Sequence, residues 1–270
     1  MNIFEILLLQ PLANGLILFY RLLGENMGVA IIGFSLFLRV LLNPLTKPYM
    51  KSMKKMKDVA PQLEKLKKRH KEDKGKLRQA QADLYKQRGV NPAAGCLPYI
   101  LQIVVLIAFF NVFVRTLSSG PDAVSKFNEL LYPPLQFDQE QTINTRFLYL
   151  DVTEPDAIEV SFLPFPLPGP ILILAAVVQL ISAKIMAPYI EIQEKRAKAT
   201  PEKTDDIASA MQKSTTFMIP VFTIIFGLRF ASGLALYWLL FSLYQAYQQY
   251  RMSGWGGMTP FLKKTGLLKS

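Results

Sequence analysis

The chain has 270 residues, of which 51% are hydrophobic and 19% are charged, and its formal net charge is +11. The hydrophobic residues form long runs and the basic residues are concentrated in one block, which is typical of a multi-span membrane protein and argues against a soluble globular domain. A single cysteine, Cys96, excludes an intrachain disulfide, and with only one histidine a Cys/His metal site is not expected.

Residues 1–24 are apolar, but Glu5 and Pro11 interrupt them and no basic segment precedes them. This argues against a cleaved signal peptide. We expect an amphipathic helix lying in the membrane interface. The alternative is a sixth membrane span, which would invert the N-terminus.

Five later stretches have the character of membrane-spanning helices, which need about 20 mostly apolar residues to cross a ~30 Å hydrocarbon layer. The first is expected to end at Asn43–Pro44, and the last two are separated by Ala231, which predicts a tight antiparallel hairpin. The sequence therefore predicts an all-α integral membrane protein with five transmembrane helices. Their expected bounds are 25–48, 91–116, 169–187, 214–230 and 231–250.

The charges between these stretches predict the orientation. Lys51 to Arg88 holds fourteen Lys and Arg against five Asp and Glu, whereas Leu117 to Pro168 holds two against eight. By the positive-inside rule, the basic segment 49–90, the loop 188–213 and the tail 251–270 are cytoplasmic, and the loop 117–168 is extracytoplasmic.

The basic segment 49–90 is predicted to be a helical hairpin. Apolar residues such as Met53 and Met56 recur at steps of three and four, and a second helix follows Asp73–Lys74–Gly75 and stops at Gly89. The segment lacks an aromatic platform for single-stranded nucleic acid, so attraction to anionic lipid headgroups is the simpler interpretation and no sequence-specific nucleic acid is expected. Contact with ribosomal RNA remains open.

Arg39 lies inside the first predicted span, where a charge costs about 2.5–3.5 kcal/mol on insertion scales. No Asp or Glu occurs between Gly28 and Leu45 or in the other four apolar stretches, while Ser35, Arg39 and Asn43 share one helix face. We expect a hydrated groove that opens toward the cytoplasm. The alternative is that Arg39 snorkels to the interface, because it precedes Pro44 by only five residues.

The other spans also carry polar residues: Gln102 in the second, Gln179 in the third, and Trp238, Ser242 and Gln245 at i, i+4 and i+7 in the last. For any one of them, a hydrogen bond to a neighbouring helix is the simpler interpretation. Together they favour a shared groove. Phosphate-binding loops and a Ser-His-acid arrangement are absent, so neither an enzyme nor a cofactor or metal is expected.

Several motifs, in chain order, resemble those of the YidC family of membrane-protein insertases. They cover nearly the whole chain: Leu38–Thr46, Met50–Met56, Asn91–Pro98 with Leu101–Gln102, Phe147–Asp151 with Pro155–Asp156, and Phe230–Trp238. The chain is similar to the members that lack a large extracytoplasmic domain before the core.

The resemblance implies a five-helix core in a bacterial inner (plasma) membrane, with a cytoplasm-open hydrophilic groove that receives the polar segment of a nascent protein. Arg39 matches the central groove arginine, and Ser35, Gln179 and Trp238 match groove-lining or substrate-contacting positions. The hairpin, including Met53, Lys54, Lys55 and Met56, is implicated in substrate capture. The expected partners are nascent membrane proteins, the bilayer, the ribosome and the Sec translocase, without ATP or metal.

The sequence departs from the family pattern in three places. The outer loop before the third span is long, Ile103–Val104 stands where a proline is common, and the tail is short and only mildly basic, which does not favour strong ribosome tethering.

Two other functions are alternatives to an insertase. A secondary transporter or channel could use Arg39 to bind a small anion, but five spans without paired halves argue against it. A lipid-binding scaffold would leave Arg39 and its polar neighbours unexplained.

Overall fold

The computed structural model describes residues 3–70, 72–90, 97–186 and 207–268, and most of them are helical. A π-helical turn, Glu5–Leu9, precedes the first helix. The helices are α1 Gln10–Leu22, α2 Met27–Arg69, α3 Lys74–Gln87, α4 Leu97–Arg115, α5 Ala123–Asn128, α6 Pro170–Met186, α7 Ile207–Gly227, α8 Ser232–Ser253 and α9 Thr259–Lys264. Short 3₁₀ turns occur at Leu117–Asp122, Pro133–Leu135 and Gly256–Met258.

The chain forms two compact units. One comprises Met1–Leu41, Leu101–Leu180 and Thr216–Gln245, and the other Leu42–Ile100, Ile181–Thr215 and Ala246–Ser270. Within the described residues, two helical stretches are long and apolar enough to cross a membrane, Glu5–Leu22 and Met27–Pro44. Shorter apolar helices cover Ile103–Arg115, Pro170–Ile185 and Thr216–Gly227.

The helices of the first unit expose apolar faces. In α6, Leu172 and Ala175 are buried, while Ile173, Leu174 and Val177 are each nearly half exposed. In α7 the exposed apolar residues include Phe217, Met218, Ile219, Val221, Phe222, Ile225 and Phe226. Continuous apolar surface of this kind is costly in water and fits contact with lipid chains.

Helix α2 is longer than expected. Its first turns are anchored in the core by Met27, Ala30 and Ile31, which are fully buried. The sequence predicted an end at Asn43–Pro44, but the helix continues without interruption to Arg69. The stretch of α2 that is apolar enough to cross a membrane is Met27–Pro44, so the helix extends beyond the predicted span.

The N-terminal segment from Glu5 to Arg21 is bound to the end of α4 and to the residues that follow it. Glu5 forms an ion pair with Arg115 at 2.7 Å. The amide of Asn14 donates to Leu130 O at 3.0 Å, and the guanidinium of Arg21 donates to Gln136 O at 2.7 Å. These contacts attach both ends of the N-terminal segment to residues 115–136.

The segment between α4 and α6 contains β-structure, which an all-α chain would lack. Strand β1 (Arg146–Phe147) pairs antiparallel with β2 (Leu150–Asp151), in the register Arg146↔Asp151 and Phe147↔Leu150. Strand β3 (Ala157–Ile158) pairs antiparallel with β4 (Leu167–Pro168), in the register Ala157↔Pro168 and Ile158↔Leu167. The described residues are mostly helical, and these two short ladders are an addition that the sequence did not predict.

Residues 151–156, which we call the clamp, hold the N-termini of α6 and α8. The clamp carbonyls of Glu154 and Val152 accept hydrogen bonds from the Ser232 and Gly233 amides at 2.6 and 3.0 Å. The carboxylate of Asp156, 3% exposed, accepts one from the Leu172 amide at 2.8 Å. The first amides of a helix lack intrahelical partners, so these bonds satisfy them.

Two side chains reinforce the clamp. The hydroxyl of Tyr149 donates to Asp156 at 3.2 Å, and a side chain at Gly169 would collide with the Asp156 carboxylate. Partial burial raises the pKa of Asp151, but hydrogen bonds from Thr153 and Thr145 outweigh it, so the pKa lies below its ordinary value.

The second unit contains the basic hairpin. Asp73 caps α3 by accepting a hydrogen bond from the Lys76 amide at 2.9 Å. Gly89 follows the helix with φ +58°, a conformation that glycine adopts without strain. The start and stop of this helix agree with the sequence prediction.

Replacing Asp156 by alanine is expected to destabilise the protein by about 1–3 kcal/mol, because a buried amide and a tyrosine hydroxyl lose their acceptor. Thermal unfolding of the full chain in detergent measures the effect. The control is Glu159→Ala, an exposed carboxylate in the same segment. Equal stability of the two variants would contradict the clamp.

Candidate functional site

Arg39 packs against the aromatic face of α8. Its guanidinium carbon lies 3.2 Å from the ring centroid of Phe241 and 5.7 Å from that of Tyr244. Its Nη2 donates to the Phe241 carbonyl at 3.4 Å, a long hydrogen bond. No carboxylate forms an ion pair with Arg39 within the part of the chain that the structure describes. The charge is therefore held by a ring and a carbonyl.

The spacing of aromatic residues in α8 produces this face. Tyr237, Phe241 and Tyr244 stand at i, i+4 and i+7, which places them on one side of the helix. Sequence reasoning followed the polar residues of this helix and missed the aromatic ones. The same spacing rule, applied to aromatic residues, would have found them as partners of an intramembrane arginine.

Two polar atoms at this site have no hydrogen-bond partner among the described residues. They are Ser35 Oγ and Arg39 Nε, both buried and one helical turn apart on α2. A buried polar atom without a partner costs about 1–3 kcal/mol. A carboxylate or carbonyl oxygen that reached these atoms would relieve that cost, so the arrangement favours binding of an anionic or polar segment.

The other predicted groove residues of this unit lie in different surroundings. Gln179 is half-buried, and its amide oxygen accepts a hydrogen bond from Thr223 Oγ1 at 2.8 Å, which joins α6 to α7. Trp238 is 7% exposed and belongs to the hydrophobic core. Ser242, one turn later, is 3% exposed. No hydrogen bond joins Arg39 to any of these three described side chains.

The remaining predicted residues belong to the second unit or fall outside the description. Asn43 lies in the second unit, where its side-chain oxygen accepts a hydrogen bond from Gln248 at 2.9 Å. Lys54 and Lys55 are exposed. The side chains of Gln102, Met53 and Met56 lie outside the described residues.

Across residues 3–70, 72–90, 97–186 and 207–268, no group of three or more His, Cys, Asp or Glu side chains could hold a metal ion.

Comparison with known proteins identifies relatives over most of the chain. The sequence profile of the 60Kd inner membrane protein family matches residues 18–256. The chain is similar to three proteins named membrane protein insertase YidC. That of Roseobacter denitrificans is 33% identical over 87% of this chain and 35% of its own length. That of Dinoroseobacter shibae is 34% identical over 90% of this chain and 36% of its own length. That of Fusobacterium nucleatum is 31% identical over 83% of this chain and 85% of its own length.

The share of each relative that is covered differs widely. The chain spans about a third of the length of the Roseobacter and Dinoroseobacter proteins but most of the Fusobacterium protein.

The contact between Arg39 and Phe241 is expected to be measurable as a coupling free energy of about 0.5–2 kcal/mol. The variants are Arg39→Met, Phe241→Leu and the double substitution, and unfolding of each in detergent completes a double-mutant cycle. The control is a second cycle that combines Arg39→Met with Phe226→Leu. The ring of Phe226 stacks on Phe222 and Phe230 and is not one of the rings that cover Arg39. A coupling no larger than that of the control would contradict the contact.

Proposed function

Because the chain belongs to the 60Kd inner membrane protein family, we propose that it inserts nascent membrane proteins into the bilayer of a bacterial inner membrane. The relatives that carry the name of insertase support this proposal. The observation that carries it is Arg39: a guanidinium in an apolar helix, without a carboxylate partner among the described residues and with one unpartnered N–H. Such a group attracts the acidic or polar part of a substrate.

Arg39 is proposed to bind the translocated segment through its carboxylates. A carboxylate can accept two parallel hydrogen bonds from a guanidinium, which is stronger than the single long bond to the Phe241 carbonyl. The ring of Phe241 covers the guanidinium at 3.2 Å. Binding of the substrate therefore replaces the ring and carbonyl with an anion, and the partnerless Nε gains an acceptor.

The hydrophobic part of the substrate is proposed to leave sideways into lipid. On α2, Phe37 and Leu41 lie roughly opposite Arg39 and are about half exposed. One helix thus presents a cation on one side and an apolar surface on the other. Each methylene that the substrate transfers from water to lipid contributes about 0.8 kcal/mol, while partial entry of the polar segment lowers the desolvation barrier.

The membrane topology is part of the proposal. Five spans (25–48, 91–116, 169–187, 214–230 and 231–250) form a groove that opens toward the cytoplasm, and Arg39, Ser35, Asn43, Gln102, Gln179 and Trp238 are its proposed residues. The attachment of Glu5 and Arg21 to residues 115–136 supports an interfacial position for the N-terminal helix, because the two residues lie at its opposite ends.

The cytoplasmic hairpin is proposed to capture substrate through Met53, Met56, Lys54 and Lys55. The exposure of both lysines supports access from solution. The ribosome and the Sec translocase are the proposed partners. The process needs neither ATP nor a metal ion, since binding and partitioning supply the driving force.

Arg39→Ala is expected to reduce insertion of a single-span substrate with an acidic translocated tail by roughly tenfold or more, the value of one charge-assisted interaction. Arg39→Lys is expected to retain most of the insertion, since the charge is kept. The measurement is protease protection of the tail in vesicles that contain the full chain.

Two controls separate the effect of the Arg39 charge from a general loss of folding or insertion. Arg251→Gln removes a basic residue of the cytoplasmic end of α8 and is expected to insert normally. A substrate with a neutral tail is expected to be much less sensitive to Arg39→Ala. Equal insertion by wild type, Arg39→Ala and Arg39→Lys would contradict the role of Arg39, and anion uptake without any insertion would contradict the insertase function.

A further inference from the structure

A pocket of about 120 Å³ lies in the first unit beside the clamp. The end of α4 contributes Phe110 and Val114, the turn between α7 and α8 contributes Arg229 and Phe230, and the clamp contributes Thr153. The pocket therefore combines an apolar wall with a single cation. By the proposed topology it lies at the extracytoplasmic membrane surface.

Arg229 is the charged group of this pocket. Its side chain is exposed and forms no hydrogen bond or ion pair with any described residue. Two other arginines of the unit are engaged: Arg115 pairs with Glu5, and Arg21 donates to backbone carbonyls. The hydroxyl of Thr153 already donates to Asp151 at 2.7 Å. Arg229 is thus the donor that an anion in the pocket would meet.

The apolar wall continues beyond the pocket as a row of aromatic rings along α7. Phe230, in the turn that follows α7, packs edge-on against Phe110 at 4.9 Å and stacks on Phe226 at 5.7 Å. Phe226 in turn stacks on Phe222 at 3.8 Å. Phe222 and Phe226 are 48% and 38% exposed. The row leads from Arg229 toward the middle of the predicted span, which is the direction an acyl chain takes from its headgroup.

We propose that this site binds one anionic phospholipid of the extracytoplasmic leaflet. Arg229 holds the phosphate by a bidentate hydrogen bond, and an acyl chain lies over Phe230, Phe226 and Phe222. The aromatic row identifies a lipid as the ligand, because a free phosphate would use the cation and leave the row uncovered. The inference rests on the proposed membrane topology and does not require insertion activity.

The test is native mass spectrometry of the full chain, released from nanodiscs that contain phosphatidylglycerol and phosphatidylcholine. We expect wild type to retain one phosphatidylglycerol, and Arg229→Gln to bind it about tenfold more weakly, since one charge-assisted contact is lost. Arg251→Gln, which removes an arginine at the other end of α8, is expected to retain the lipid. Phe226→Ala, which shortens the row without changing the charge, is expected to weaken retention as well.

The inference would be overturned if wild type and Arg229→Gln retained phosphatidylglycerol equally, or if Arg251→Gln lost it as much as Arg229→Gln. It would also be overturned if wild type retained phosphatidylcholine as well as phosphatidylglycerol. Full displacement of the lipid by inorganic phosphate would also overturn it, since the ligand would then be a free anion. Arg39→Ala is expected to retain the lipid. Loss of insertion in Arg39→Ala with lipid retained therefore tests the proposed function separately from the lipid site.

Discussion

The structure depends on the placement of one positive charge, Arg39, in an apolar helix without a carboxylate partner in the described part of the chain. Its guanidinium is covered by Phe241 at 3.2 Å and bonded to the carbonyl of the same residue. A cation–π contact costs less desolvation than an ion pair and is worth roughly 0.5–2 kcal/mol. This is enough to hold the side chain in place. Its Nε still has no hydrogen-bond partner and could donate to an incoming anion. Such weak compensation fits the proposed function, in which the site must bind and then release its substrate.

The clamp connects this site to the segment between α4 and α6. Val152 and Glu154 accept hydrogen bonds from the first amides of α8, and Asp156 does the same for α6. Because Phe241 lies on α8 nine residues after Ser232, the position of that helix end fixes where the ring meets Arg39. Residues 151–156 form no hydrogen bond with the guanidinium, yet they fix the position of the helix whose Phe241 ring covers it.

The sequence predicted what depends on local pattern and could not predict what depends on distant pairing. The apolar helices, the start of α3 after Asp73 and its stop at Gly89 follow from periodicity and capping. Arg39 stood out because a charge is rare in an apolar stretch. The clamp joins residues about 80 positions apart, so no local pattern predicts that they pair, although both segments contain motifs of the family. The β-pairs are only two residues long, and α2 continues past Pro44 although proline is unfavourable inside a helix. The aromatic residues that contact Arg39 share one face of α8 by their spacing, but the spacing alone does not say that this face meets Arg39.

The central claim is that polar and apolar parts of a substrate take different sides of the same helices, and photocrosslinking tests it most directly. A photoreactive residue at position 179, which is half-buried beside Thr223, should crosslink to the translocated tail of a stalled insertion intermediate. The same residue at position 177, on the exposed apolar face of α6, should crosslink to the hydrophobic segment and to lipid. We predict this separation, with the crosslink from position 179 to the tail lost in Arg39→Ala. Capture of the tail at both positions alike, or only at 177, would contradict it.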